Sequence, residues 1–89
     1  MAQCIVANIP GGKAADYEAA LKEIAPGGLP QGVVTQIVGT SADGVTVITL
    51  WDSDEAGRFL RDRVKPAMDK LGFKPTVNIL EVHKHYQRG

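Results

Sequence analysis

Cysteine is almost missing from this chain. Of 89 residues one is cysteine, Cys4, so no internal disulfide can close. Histidine is nearly as scarce: His83 and His85 are the two present. No surplus of either charge exists, since ten basic residues stand against ten acidic ones. A nucleic-acid partner is therefore not expected, because phosphate binding draws on a basic excess. No apolar run approaches the roughly 20 residues that a membrane-spanning helix needs. The opening MAQCIVANIP has no basic region and too short an apolar stretch for a secretory leader. A cytoplasmic protein with no membrane contact is the expectation.

Apolar residues, at 44%, are abundant enough for a packed core and too abundant for disorder. The length suits one domain, residues 1–89. Residues 45–51 alternate, with Val45, Val47, Thr49 and Trp51 on one side and Thr46, Ile48 and Leu50 on the other. Both sides are apolar or β-branched, so this strand is covered on both faces. Asp52 follows, with Glu55 at capping-box spacing, and a helix is expected to start there. Ala56, Phe59, Leu60, Val64, Ala67, Met68 and Leu71 form its apolar stripe. Arg58 and Arg61 fall beside the stripe, on a solvated face. Pro66 removes one backbone donor and should kink the helix or restart it as a second segment, and Gly72 should end it.

Upstream, residues 3–9 form a second two-sided strand, with Cys4, Val6 and Asn8 opposite Gln3, Ile5, Ala7 and Ile9. Cys4 reads as a small buried hydrophobe. Residues 13–25 give an amphipathic helix with Tyr17, Ala20, Leu21 and Ile24 on one face. PGGLPQG, residues 26–32, is a connector long enough to cover a site. Residues 33–39 form a strand, with Val33, Thr35 and Ile37 opposite Val34, Gln36 and Val38; TSADG is a hairpin turn, and residues 76–83 make the last strand.

The order βαββαβ, with both helices on one face of a four-stranded antiparallel sheet, is the ferredoxin-like α+β sandwich. Two helices cover one face only, yet each strand is apolar on both. The open face would be a large exposed patch, and a second copy of the chain is its simplest cover, giving a homodimer through the sheets. Pattern alone leaves open which face meets the helices. A trial assignment sets Val47 and Thr49 against the second copy and Ile48 against the helices.

The run TLWDSDEAGRFLRDRVKPAMDKLG and the closing TVNILEVHKHY resemble the dimeric α+β barrel superfamily, in particular its small antibiotic biosynthesis monooxygenase-like proteins. That resemblance implies a cavity between sheet and helices, a small hydrophobic or aromatic ligand, and oxygenation without a cofactor or metal. It makes Asn8 the group that polarises the substrate; His83, by its residue type and provided it opens into a cavity, is the candidate proton acceptor. Trp51, Tyr17 and Phe59 become the ligand-contacting side chains. An isomerase or cyclase in the same cavity, or a non-catalytic ligand-binding dimer, is the alternative. Heme-degrading members carry a second Trp and a His on the helix after strand three; this helix has neither. His83 and His85 at i, i+2 begin a metal site, with Glu81 as the nearest third ligand, but the set is incomplete. Gly11-Gly12-Lys13 sits between strand and helix without the spaced glycine and hydroxyl of a phosphate loop.

Overall fold

The computed structural model describes residues 2–86 and 88. Strands β1 (Gln3–Pro10), β2 (Val33–Ser41), β3 (Gly44–Trp51) and β4 (Thr76–Glu81) form one sheet in the order β2-β3-β1-β4. Every neighbouring pair is antiparallel. Helix α1 (Ala14–Ile24) links β1 to β2. Between β3 and β4 run α2 (Ala56–Phe59), a π-helical turn (Leu60–Val64) and α3 (Lys65–Leu71). This is the expected ferredoxin-like βαββαβ arrangement.

Burial decides which face meets the helices. Ile5, Ala7 and Ile9 of β1 are buried, as are Val45, Thr49 and Trp51 of β3, while Ile48 is exposed. The trial assignment is thus reversed: Val47 and Thr49 face the helices and Ile48 faces away. Two apolar clusters fill the helix side. One joins Ile9, Ala20, Val45 and Met68. The other joins Ile5, Trp51 and Ala56, with Val33, Phe59, Leu60 and Val77 packed against it.

Backbone chemistry sets the boundaries. Gly12 N–H bonds to Ile9 O at 3.0 Å, folding the chain back as β1 ends at Pro10. Asp16 Oδ2 accepts the Lys13 N–H at 2.8 Å and satisfies a free donor at the start of α1. The β2–β3 hairpin turns on Ala42 and Asp43, since Ser41 pairs with Gly44. Gly44 has φ +143, and a Cβ there would lie 2.2 Å from Ile9 O, so only glycine fits beneath β1.

Two expectations are corrected and one at Pro66 holds. Asp52 does not cap a helix. Its N–H bonds to Gly32 O at 3.0 Å, and residues 52–55 turn before the helix starts at Ala56, which is fully buried. At Pro66 the helix restarts as a second segment, as expected: α3 begins at Lys65, after a π-helical turn in which the Lys65 N–H reaches back five residues to Leu60 O. At normal pitch the Pro66 ring would meet the Asp62 carbonyl, and the wider turn relieves that clash. Finally, β4 stops at Glu81, so His83 lies beyond the strand rather than in it. Gly72 ends α3 at φ +77, as expected.

Candidate functional site

Between the two clusters the helix layer stands off the sheet and leaves an apolar cavity of about 60 Å³. Ile5, Ala7, Ile9 and Val47 form its floor, and Ile24, Phe59, Val64 and Met68 its walls. Leu29, from the connector, lies at its edge.

One polar chain enters this cavity. Tyr17 Oη donates to Gln36 Oε1 at 2.5 Å, and Gln36 Nε2 donates to Thr49 Oγ1 at 3.2 Å. Three elements build it. Tyr17 sits on the inner stripe of α1. Gln36 and Thr49 are direct cross-strand partners on β2 and β3. A β-bulge turns Gln36 inward. Val33 pairs with Trp51 and Thr35 pairs with Leu50, leaving Val34 as the extra residue. Without it, a strand that starts with Val33 facing the helices would point Gln36 away from them. The bulge re-aims the side chain. It also separates Val33 from Thr35 and Ile37, which simple alternation placed on one face.

Burial, and secondarily the Glu18 carboxylate, raises the Tyr17 phenol above its ordinary 10.0. The neutral form is thus favoured more in the folded chain than in the unfolded one. The resulting stability is present below pH 10 and is lost as pH rises through the folded value. Denaturation midpoints of the wild type are expected to fall on this alkaline limb more steeply than those of Tyr17→Phe. Parallel curves would show that Tyr17 does not titrate with folding.

The five residues singled out in the sequence do not form one site. Tyr17 and Phe59 line the cavity. Trp51 is 1% exposed and stands behind Phe59, with ring centroids 5.0 Å apart and tilted by 54°. Its other edge borders a shallow recess of about 170 Å³ with Pro30, Arg58 and Arg63. Arg61 pairs instead with Asp62 at 3.0 Å in solvent. Asn8 is on the opposite face of the sheet, since its neighbours Ala7 and Ile9 point inward. There Asn8 Oδ1 accepts the hydroxyl proton of Thr46, its cross-strand partner, at 2.7 Å. His83 and His85 also lie on that side. They border an open trough of about 450 Å³ with Cys4, Ile37, Ile48 and Leu80. Among the described residues, no three His, Cys, Asp or Glu side chains are grouped to hold a metal ion. No helix among them is long and apolar enough to cross a membrane.

Gln36 and Thr49 are not among the residues that alternation and resemblance single out. The signal was present, however: counting back from a two-residue hairpin at Ala42 and Asp43 sets Gln36 opposite Thr49.

No protein-family model and no curated protein matches the chain. Solved structures do. One is SnoaB, a cofactor-independent oxygenase from Streptomyces nogalater, in a point-mutant form. It is 14% identical, with a TM-score of 0.65 over 98% of this chain and 97% of that one. Another, from Deinococcus radiodurans, is described as an antibiotic biosynthesis monooxygenase by assignment. It is 20% identical, with a TM-score of 0.62 over 100% and 99%. A third is a monooxygenase of Streptomyces coelicolor in complex with the ligand nanaomycin D. It is 21% identical, with a TM-score of 0.57 over 99% and 92%. At these identities the likeness is one of fold, and the fold is that of the antibiotic biosynthesis monooxygenase-like proteins named by the sequence resemblance.

Proposed function

We propose that this chain binds a small ring compound bearing a hydroxyl or carbonyl between its sheet and helices. We further propose that it oxygenates that compound with molecular oxygen and no cofactor. The observation that carries this reading is the Tyr17–Gln36–Thr49 chain, a line of hydrogen-bonding groups in an otherwise apolar cavity. The printed descriptions of two similar structures, a cofactor-independent oxygenase and a monooxygenase holding nanaomycin D, agree with it.

In this reading Tyr17 meets the oxygen of the ring compound, Phe59 packs on its face, and Trp51 backs Phe59. Among the described residues the cavity wall has no carboxylate or imidazole. The substrate must therefore be acidic enough to lose a proton to water, as an anthrone-type ketone or a quinol is. Its anion supplies the electrons. A ring methylene becomes a carbonyl, one oxygen atom of O₂ stays in that carbonyl, and the other leaves as water. Once the Tyr17 proton is turned from Gln36 towards the cavity, its hydrogen bond to the developing oxyanion is the protein's contribution. Asn8 and His83 lie outside this site, on the face that we assign to a second copy of the chain.

A cavity of 60 Å³ holds about two water molecules at roughly 30 Å³ each, whereas an engineered cavity of about 150 Å³ takes benzene. A ring compound therefore has to displace Leu29, which is 37% exposed and follows Gly27 and Gly28. The small cavity also favours a second reading, a non-catalytic ligand-binding dimer.

An oxygen electrode with anthrone or a naphthohydroquinone separates the readings. Uptake is expected to fall on the order of 10²-fold in Tyr17→Phe. Asn8→Ala should leave it unchanged, and Leu29→Ala should tighten binding by opening the cavity. Binding without uptake would favour the non-catalytic dimer. Product without uptake would point to an isomerase or cyclase. Loss of activity in Asn8→Ala would move the site to the other face of the sheet.

A further inference from the structure

We infer that Gln36 is the positioning residue that sets which kind of oxygen the cavity accepts, and that its amide turns over so that the same site holds first a hydroxyl and then a carbonyl. The inference rests on the proposed binding of a ring compound in this cavity and adds to it a rule for the ligand.

The argument follows each proton along the chain. Tyr17 has a single hydroxyl proton, and in the structure that proton goes to Gln36 Oε1. Gln36 Nε2 in turn donates to Thr49 Oγ1. With its proton committed, the Tyr17 oxygen offers only lone pairs to a third group. A ligand beside it must donate, so this polarity selects a phenol or an enol.

Rotation of the Gln36 amide by half a turn reverses every bond. Nε2 then donates to Tyr17 Oη, and the Thr49 hydroxyl donates to Oε1. The Tyr17 proton is released towards the cavity, where it meets an acceptor such as a ketone or quinone carbonyl. The two ends of an amide have nearly the same shape, and tyrosine and threonine hydroxyls both give and take hydrogen bonds. Each polarity therefore satisfies the same three side chains with the same two contacts. Neither leaves one of them unpaired in an apolar wall, where an unpaired polar group is penalised.

Few side chains would serve here. A carboxylate at position 36 only accepts and would hold the first polarity. A lysine only donates and would hold the second. Glutamine alone combines both capacities at this reach with no charge. The structure spends a β-bulge to bring it to the helix side. The proposed oxygenation suits such a reversible chain: the enol form of an anthrone-type ketone and O₂ give a quinone and water, so the enol hydroxyl of the substrate and the carbonyl of the product present opposite hydrogen-bond character at one position.

The test uses two ligands with one bicyclic skeleton, 1-naphthol as donor and 1-tetralone as acceptor. Trp51, the only tryptophan, reports binding through Phe59. Calorimetry of the same titrations gives the dissociation constants independently. Wild type is expected to bind both. Gln36→Glu should retain 1-naphthol and weaken 1-tetralone by at least tenfold relative to it. That discrimination should vanish as pH falls and the introduced carboxyl takes up a proton. Equal weakening of both ligands at every pH would overturn the inference and leave Gln36 a structural residue. Should Gln36→Glu not fold, the wild-type protein decides. The ¹⁵N-labelled Gln36 side-chain amide is expected to give different proton shifts with the two ligands, because its hydrogens move from Thr49 to Tyr17. Identical shifts would overturn the inference. Binding of neither ligand to wild type would instead sink the proposed cavity, and this inference with it.

Discussion

Trp51→Ala is expected to lower folding stability by about 3–5 kcal/mol, the range for removing a buried aromatic side chain. A domain of this size has roughly 5–15 kcal/mol in total, so between about a fifth and all of it would go. The melting temperature should fall by about 12–40 °C, at roughly 4–8 °C per kcal/mol. Trp51 is 1% exposed and lies at the junction of three elements. It closes β3 and packs with Ile5 and Ala56, and its ring tilts against Phe59. On the connector side, a Cβ on Gly32 would come within 3.2 Å of its six-membered ring. The indole N–H, buried without a hydrogen-bond partner among the described residues, adds nothing to this stability. Trp51→Phe is therefore expected to keep most of the packing while shedding that unpaired donor, at a cost of about 1–2 kcal/mol. Urea unfolding followed by circular dichroism distinguishes the two, since the variants lack the fluorophore. A Trp51→Ala midpoint within 1 kcal/mol of wild type would mean that the strand end is not a core position.

Trp51 illustrates which parts of the fold can be read in the sequence. A seven-residue alternation ending in a large aromatic residue fixes a strand and its two faces. The breakers at Pro10, PGGLPQG and Gly72 then fix the element order. What alternation does not carry is sign. Val47 and Ile48 are equally hydrophobic, and only the seating of the helices decides which is inside. Nor does it carry single-residue insertions: nothing about Val33-Val34-Thr35 marks Val34 as the extra residue of a bulge. The candidate site depends on both. Tyr17 and Phe59 were accessible because they lie on helical stripes, whose period is robust to such slips. Asn8 is a candidate through the family resemblance alone, and Thr46, directly across from it, gives its amide a structural partner. Gln36 and Thr49 look like ordinary strand polars in the sequence, because their meaning arises only when register and bulge put them beneath Tyr17.

Ile48→Asp and Val45→Asp are expected to fail in opposite ways. Val45 is 1% exposed, between Ile9 and the helices. A carboxylate there has no partner, and burying it carries a penalty of several kcal/mol, comparable to the whole stability. Val45→Asp should not fold. Ile48 faces the other way, within an apolar surface that includes Ile37 at 58% exposure and Leu80 at 53%. Charge at Ile48 should leave the chain folded and release it as a monomer from the homodimer proposed here. Sedimentation velocity reads the mass, and circular dichroism reads the fold. A folded Val45→Asp would reverse the assignment of faces. An Ile48→Asp protein that sediments like wild type would place the second copy elsewhere. The polar residues of the open face do not argue against such a cover. Asn8 Oδ1 is already satisfied by Thr46 at 2.7 Å. A second copy could bury that pair without orphaning the oxygen, whereas a charge placed at Ile48 would stand between its apolar cross-strand partners Val6 and Ile37.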